Sequence, residues 1–474
     1  MDGGRSRKRS CRLRYAHPGG FCMTCVRHCA LGLASLSVLI AGCAEVDSRY
    51  GSVPAQRMAM THAARETTPA GTAVSSLPEN PALADYLAFA EAGNPGLASA
   101  RLRWQAAAER VIQAGSLDDP RISYRIAIGR GMRTHEVVVE QMFPLFGKLD
   151  LRAAVAREEA EAARQQYEAE RLKVAYRVKN VYFEYYYLAR SIEAVRQNRD
   201  LVKYLGDVAL ARYRTASGTQ PDIIRAQVEL GKLDDQLRTL EDSRGAVAAR
   251  LNAVLARPTE SPVPWPAAIV EETFDVPDEQ VLAWISRSSP ELQAMEHDIA
   301  RDREAVELAK KDFYPDVGLG LGYMNQVEVS AKSDYHMVVG MVSVTLPVWR
   351  EKYAAGVREA TARHEAALRT RAERENLLAA DVKMALYQVR DARRKMVLYR
   401  DTLLPKATES LRSMEAAFRT GAANFVDLVD ARRLLLEFQL AYERALADHA
   451  QRLAELEMLV GRPMPRTAAG EKGK

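Results

Sequence analysis

The segments Ile122-Ser-Tyr-Arg-Ile-Ala-Ile128 and Val317-Gly-Leu-Gly-Leu-Gly-Tyr323 place an apolar side chain at every second position, and they lie 195 residues apart. A period of two predicts β-strands with one apolar face. A glycine turn follows the first segment, and we expect a polar loop with Asn325, Gln326, Lys332 and Asp334 after the second. Strands of about 10 residues have the length of a tilted membrane-crossing strand. The sequence therefore predicts two β-hairpins with the dimensions of membrane-crossing units.

The hairpins belong to a longer internal repeat. Paired landmarks recur in the same order at lags of 195 to 205: Asn94-Pro95 and Ser289-Pro290, Asp119-Pro120 and Tyr314-Pro315, Phe143-Pro144 and Leu346-Pro347, Asp222 and Asp427, Ala256-Arg257-Pro258 and Gly461-Arg462-Pro463. The lag increases within the hairpin, as an insertion in its loop would require. An internal repeat is a stronger indication of architecture than any local pattern. We therefore expect two copies of one unit, which consists of a helix, a hairpin, a very long helix and a further helix. We assign them to 78–268 and 269–465, with a tail at 466–474.

A sheet of four strands cannot close into a barrel by itself. In lipid an open edge leaves backbone groups without hydrogen-bond partners, at a cost of several kcal/mol each. Other chains would therefore have to complete the barrel, and three chains would supply twelve strands with room for a pore. A soluble four-stranded sheet is the alternative that alternation over short runs leaves open.

The helices are built for length. Lys148 to Tyr213 is a proline-free stretch of 66 residues, and a continuous helix over it would reach about 100 Å. The equivalent stretch, Lys352 to Phe418, carries Pro405, which should break a hydrogen bond and bend the helix. Return helices are expected over Asp222–Ala256 and Asp427–Gly461. Such long helices must pack side by side as a coiled-coil wall, with heptad-like apolar positions at Val174, Val178, Val181, Tyr185, Leu188, Ile192 and Val195.

The N-terminus has the features of an export signal. Residues 1–42 are basic and end in an uncharged, apolar run of 12 residues, Ala30 to Ala41. That run is too short to span a bilayer and suits a signal-peptide core. Leu39-Ile-Ala-Gly-Cys43 looks like the lipobox of bacterial lipoproteins, with Cys43 lipidated, and Met23 is an alternative start. An unmodified Cys43 is the alternative, and residues 43–77 indicate a flexible tether.

The connection between the last two helices is the candidate site. Gly421 is expected to end one helix in a left-handed conformation, and Asp427 to begin the next, where its charge suits the helix dipole. Asp430 lies one turn further on the same face. In a trimer the two acids would form a ring of six carboxylates. Copy one has Asp222 with Arg225 instead. Helix capping and a pore constriction are both consistent with Asp427.

With these motifs the chain resembles the TolC family of outer-membrane efflux channels, over residues 78–465. The Pro-bounded helix pairs, the Phe143-Pro144 and Leu346-Pro347 hairpin exits and the Gly421–Ala431 segment carry the resemblance. It implies a mainly α fold with a small β part: a homotrimer with a 12-stranded β-barrel in the outer membrane of a Gram-negative bacterium. Long coiled-coil helices would form an α-barrel through the periplasm and dock an adaptor protein and an inner-membrane RND pump.

The resemblance also implies roles for particular residues and a subfamily. In relatives, two acids spaced like Asp427 and Asp430 narrow the closed entrance. A Tyr and an Arg lock it in the best-known member, where this chain has Phe418 and Ala423. The amino-acid sequence around Gln113–Leu117 is most similar to that of outlets of heavy-metal systems, such as CusC and CzcC relatives. Multidrug export and type I protein secretion stay open as functions, and so does a structural periplasmic coiled-coil spacer.

Composition argues against other classes. Residues 1–42 carry seven Lys or Arg and one acid, so the rest of the chain has a net charge of −1 and no basic patch for nucleic acid. No HExxH, GxSxG or Walker sequence occurs, and we expect no enzyme activity, cofactor or bound metal. Two groups with metal-ligand chemistry, Cys22-x-x-Cys25 with His28 and Cys29, and Met58, Met60 and His62, lie in the signal and tether.

Overall fold

The computed structural model describes residues 77–78, 81–129, 132–269, 271–328, 333–420 and 422–468. The predicted signal, Cys43, most of the tether and Gly421 lie outside these residues. The first copy contains α1 (Leu83–Gly93), α2 (Pro95–Ala114), β1 (Arg121–Gly129), β2 (Met132–Phe143), α3 (Lys148–Arg214) and α4 (Gln220–Val254).

The second copy repeats this order. A short strand β3 (Glu272–Thr273) precedes α5 (Asp278–Ser288), α6 (Pro290–Lys311), β4 (Asp316–Glu328), β5 (Ser333–Thr345), α7 (Arg350–Leu398), a π-helix (Tyr399–Leu403), α8 (Leu404–Thr420), α9 (Phe425–Val460) and β6 (Thr467–Ala468). The duplicated, mainly α architecture with a small sheet is therefore confirmed.

The long helix α3 is continuous and packs as the sequence predicts. All seven heptad-like apolar positions, from Val174 to Val195, are buried. Neighbouring tyrosines point in different directions: the Tyr185 hydroxyl donates to the Val263 carbonyl at 3.0 Å, and the Tyr186 hydroxyl donates to Glu443 Oε2 at 3.2 Å. Burial raises the pKa of Tyr186 to about 12. The helix also packs against α4 and α9, the return helices of both copies.

The second long helix is interrupted close to its proline. The sequence predicts one helix from Lys352 to Phe418, bent at Pro405. The structure instead ends α7 at Leu398, inserts the π-helix Tyr399–Leu403, and resumes as α8. Proline has no N–H to donate, and its ring clashes with a carbonyl of the preceding turn. A wider i→i+5 turn just before Pro405 accommodates both effects.

The four long strands form one antiparallel sheet in the order β1-β2-β4-β5. The second hairpin is longer than the sequence analysis predicts. Asn325 pairs with His336, Gln326 with Tyr335, and Val327 with Asp334, so residues expected in a polar loop lie in strands. Ladder hydrogen bonds depend on the backbone alone, and therefore polar side chains do not end an antiparallel pair.

The two faces of the sheet differ in chemistry. Residues directly opposite each other share a face, so Tyr124, Val137, Tyr323 and Val338 form one row. The face containing this row, here called the apolar face, also carries Ile122, Ile126, Val139, Leu319, Leu321, Val342 and Val344, many of them exposed. The opposite face, here called the polar face, carries Arg125, Glu136, Glu140 and the glycines of β4. None of the described helices is long and apolar enough to cross a membrane.

A buried lysine joins the sheet to the helices. Lys148, the first residue of α3, is 3% exposed. Its ammonium group donates to Asp316 Oδ1 at 2.7 Å and to the Tyr314 carbonyl at 2.8 Å, at the start of β4. Removing one partner of a buried pair leaves an uncompensated charge. The pair therefore fixes the exit of the first hairpin against the entry of the second.

A second ion-pair cluster joins the C-terminal segment to both copies. Glu457 on α9 contacts Lys179 of α3 at 2.6 Å and Arg466 at 2.5 Å, and Arg466 also pairs with Glu272. Burial alone would raise the pKa of Glu457, but the two cations outweigh it and hold that pKa below its ordinary value. The short β3–β6 pair lies beside this cluster.

The return helices of the two copies end differently, and this difference gives a test. Gly461 and Ala256 follow α9 and α4 with φ of +86° and +56°. An L-residue in this left-handed region costs about 1–2 kcal/mol. Ala256→Gly should therefore raise the free energy of unfolding by about 1 kcal/mol, measured by denaturant titration in detergent.

Gly461→Ala should lower the free energy of unfolding by about 2 kcal/mol or more, because a Cβ there would also overlap the Ser288 carbonyl. Gly356→Ala is the matched control, since it adds the same methyl group to open space within α7. It should stabilise by up to about 1 kcal/mol. Equal effects at Gly461 and Gly356 would show that the left-handed ends are unstrained.

Candidate functional site

The turn of copy one is closed by a reciprocal cap. Thr219 precedes α4, and its hydroxyl donates to Asp222 Oδ2 at 2.7 Å. The Thr219 amide donates to the same oxygen at 3.3 Å. This is the capping-box arrangement, which satisfies amide groups at a helix start. Asp222 is therefore engaged in holding the turn between α3 and α4.

The turn of copy two is capped by a residue that the sequence analysis missed. The Asn424 side chain accepts from the Asp427 amide at 2.9 Å, which makes Asn424 the N-cap of α9. Asp427 is the third residue of the helix, and its carboxylate is exposed. The Asn424 side chain, and not that of Asp427, therefore caps the N-terminus of α9. An Asn three residues before an acid was the sequence signal for this cap.

Asp427 and Asp430 lie on one exposed face of the first turns of α9. Both are solvent-exposed, and their spacing of three residues places them side by side. Asp430 Oδ1 is 3.6 Å from Arg433 Nη1, a long contact at a largely exposed pair. Exposed pairs of this kind contribute little to stability. The two carboxylates are therefore available at the tip of the helix pair, beside the dipole of α9.

Three residues that sequence reasoning did not single out tie the two copies together near this tip. Arg433 of α9 forms a two-pronged pair with Glu229 of α4, at 2.7 and 3.3 Å. Arg212 of α3 donates to the Phe418 carbonyl at 3.1 Å, and its guanidinium lies 4.5 Å from the centre of the Phe418 ring. The partners are more than 200 positions apart, so no local spacing rule could pair them.

Phe418 and Ala423 occupy the two positions where the best-known relative has its entrance lock. Phe418 is buried, and its ring lies 5.9 Å from that of Phe425, in a cluster that joins α3, α4, α8 and α9. Ala423 has no polar side chain. The polar links between copies at this end are therefore the Arg212 contact and the Glu229–Arg433 pair.

The remaining described residues were compared with the usual composition of a metal site. Among them no group of three or more His, Cys, Asp or Glu side chains could hold a metal ion. A cavity of about 270 Å³ beside α3 and α9 is lined by Lys179, His449 and Arg466, among others. Burial and the nearby Arg393 lower the pKa of His449. Glu457 and Glu272 pair with the two cations of the cavity lining, Lys179 and Arg466.

Comparison with known proteins decides the family. The family model described as "Outer membrane efflux protein" matches residues 87–257 and 285–462. The chain belongs to this family. The two matched segments fall one in each copy of the repeat, and the resemblance to TolC-type channels is confirmed.

Individual relatives of this outer membrane efflux protein are distant but cover most of it. A protein of Cupriavidus metallidurans, "Cobalt-zinc-cadmium resistance protein CzcC", is 20% identical over 384 residues, which are 79% of this chain and 89% of the relative. The solved structure of CusC is 14% identical with a TM-score of 0.69, covering 81% of this chain and 93% of CusC. VceC of Vibrio cholerae is 16% identical with a TM-score of 0.67, covering 81% and 97%. At these identities the structures establish the fold.

Proposed function

We propose that this outer membrane efflux protein is a passive channel, assembled as a homotrimer, that carries substrate from the periplasm to the exterior. Its four-stranded sheet supplies one third of a twelve-stranded transmembrane barrel. Its helices form the tunnel below the barrel. The observation that carries the proposal is the sheet itself, which has one apolar face, one polar face and two unpaired edges.

The edges require a partner. β1 and β5 each pair on one side only within the described chain, so each presents a row of backbone donors and acceptors. Such edges are tolerated in lipid only when another strand satisfies them. If β1 of one chain pairs with β5 of the next, closure requires several copies. Three copies give the strand number expected for a pore.

The faces assign lipid and lumen. Exposed Ile, Leu, Val and Tyr side chains on the apolar face would be unfavourable in water, and contact with lipid stabilises them. The polar face carries an ion pair between Arg125 and Glu136 at 3.1 Å, which suits a water-filled lumen. Alternation of lipid-facing and lumen-facing residues is the pattern of transmembrane barrels. A structural coiled-coil spacer leaves this two-sided sheet unexplained.

The proposed cargo is heavy-metal cations, because the curated relative named above is a cobalt-zinc-cadmium resistance protein. The proposed partners are a periplasmic adaptor protein and an inner-membrane RND pump, with lipid of the outer membrane around the barrel. Multidrug export and type I protein secretion are the alternatives within the channel class. In all three cases the chain supplies a conduit, and neither an enzyme activity nor nucleic-acid binding is part of the proposal.

Accessibility of a spin label on neighbouring positions tests the channel. Tyr124→Cys and Leu321→Cys place a label on the apolar face, and Ser123→Cys, next in sequence to Tyr124, places it on the polar face. In reconstituted protein the first two labels should collide with dissolved oxygen far more than with a water-soluble nickel chelate. The Ser123 label should show the reverse preference.

No cysteine follows Cys43, so no native thiol in the sheet or the helices competes for the spin label. Equal access of the chelate to all three positions would mean a sheet surrounded by water. That outcome would exclude the transmembrane channel and favour the structural coiled-coil spacer.

We further propose that Asp427 and Asp430 from three chains form a ring of six carboxylates at the periplasmic entrance, with Gly421 and Asp222 in the adjoining turns. A carboxylate about 4 Å from a passing cation contributes about 1 kcal/mol even in water. Asp427→Asn with Asp430→Asn should therefore reduce the preference for cations severalfold, measured as reversal potential across a salt gradient in planar bilayers.

Asp222→Asn is the control from copy one, where a single acid is engaged with Thr219, and it should shift the reversal potential much less. An unchanged reversal potential in the double variant would remove Asp427 and Asp430 from the conduction path.

Cys43 is proposed as the lipid anchor, on the strength of the Leu39–Cys43 sequence. Wild-type cells fed radioactive palmitate should yield labelled protein, and Cys43→Ser should yield none. The barrel would still hold the variant in the membrane, so trimer formation should persist. Continued labelling of Cys43→Ser would disprove this anchor.

A further inference from the structure

The methionines of the sheet all lie on one face. Strands β1, β2, β4 and β5 contain five methionines: Met132, Met142, Met324, Met337 and Met341. The strand register places every one of them on the polar face, with Glu136 and Glu140. The apolar face combines Ile, Leu, Val and Tyr with polar residues toward the loops, such as His135, Asn325 and His336. It contains no methionine among the described strand residues. Thioether groups therefore lie only on the side that the proposed barrel turns to its lumen.

Two of these methionines lie over neighbouring glycines of β4, which form a groove. Met142 of β2 lies opposite Gly318, and Met341 of β5 lies opposite Gly320. A Cβ added at Gly318 would be 3.4 Å from Met142 Sδ, and one added at Gly320 would be 3.0 Å from Met341 Cε. Both side chains therefore lean across β4 from opposite sides, and they can do so only because β4 has no side chains there.

A carboxylate lies in the same groove. Glu140 Oε1 is 2.9 Å from the place of a Cβ on Gly318, and it accepts a hydrogen bond from the Ser343 hydroxyl at 2.6 Å. Glu140 is in the same row as Gly320 and Met341. The groove thus brings thioethers from two strands close to one negative charge.

The other methionines continue toward the loop end of the sheet. Met324 and Met337 are direct cross-strand partners, so their side chains are neighbours. Met132 lies near the turn of the first hairpin, where Gln326 Nε2 is 2.9 Å from its Sδ atom. The five thioethers therefore occupy successive levels from the base of the sheet to its far end.

Packing does not account for this arrangement. Methionine is common as a filler of irregular apolar cores, but the polar face has no such core. Met132, Met337 and Met341 are 45%, 55% and 38% exposed. On this face the charged, hydroxyl and glycine residues outnumber the apolar Ala127, Val138 and Val339. Exposed methionine in such surroundings has a chemical explanation in its sulfur. Thioethers are soft ligands that select Cu(I) and similar cations over hard ones.

We propose that the polar face is a thioether path for soft monovalent cations, Cu(I) or Ag(I), and that Met142, Met341 and Glu140 form its principal binding site. This inference rests on the proposed function, because the face must line the conduit. It narrows the cargo from heavy metals in general to the softest among them. The ion is held by sulfur and neutralised by the carboxylate, and weak successive sites allow it to leave.

Silver ions provide a redox-inert probe in planar bilayers. With the trimer in potassium nitrate, micromolar silver nitrate should cause transient interruptions of the potassium current, and the same concentration of zinc or cobalt nitrate should not. No cysteine follows Cys43, so thiols of the barrel cannot produce the effect. Met142→Leu with Met341→Leu keeps the side-chain volume and removes both sulfurs. It should shorten the interruptions by about tenfold or more.

Met396→Leu is the matched control. Its thioether is 2% exposed in the helix packing, where a passing ion does not reach it, and the interruptions should persist. Pores that conduct potassium but show no silver-dependent interruptions, or interruptions equal in the double variant, would overturn the thioether path and leave the channel intact. Absence of any conducting pore would instead overturn the proposed function.

Discussion

The backbone hydrogen bonds at the two edges of the four-stranded sheet govern the rest of this molecule. Inside the sheet every strand is satisfied by its neighbours, but β1 and β5 each have one free side within the described chain. The free backbone edges find hydrogen-bond partners in water but not in lipid, whereas the apolar face is stable in lipid but not in water. Neither solvent therefore suits the isolated sheet. Joining several copies edge to edge resolves the conflict, because it satisfies the backbone and leaves the apolar side chains on the outside.

The helices transmit that arrangement away from the sheet. Lys148 is buried at the junction, where its contacts with Asp316 and the Tyr314 carbonyl join the end of one hairpin to the beginning of the other. From there α3 continues for 67 residues without interruption. A charge held at this depth needs its partner, since the desolvation cost remains when the partner is lost. The junction therefore sets the direction of the helices relative to the strands.

The two copies share one scaffold, and they differ at the positions proposed to be functional. Both copies have a capped turn, but copy one uses Asp222 within the cap, whereas copy two uses Asn424 and leaves Asp427 exposed. One long helix is continuous, and the other contains a π-helix before Pro405. The two hairpins differ as well, since the longer strands and the glycines belong to the second. In the proposed channel, the residues of the entrance and of the lumen would therefore occur once per pair of copies.

The sequence by itself determined the duplication, the strand alternation, the length of α3 and the buried stripe on it. These depend on periodicity, which a chain carries locally. It also placed Asp427 and Asp430 at the start of a helix. Only the tertiary structure decided the Glu229–Arg433 pair, the packing of Phe418 and the convergence of Met142 and Met341 over β4. Each joins residues from separate helices or strands, and distance along the chain does not reveal which side chains meet once helices pack and strands take their register. Register in particular determines the face on which every side chain of a strand lies, because a slip of one residue would exchange the two faces.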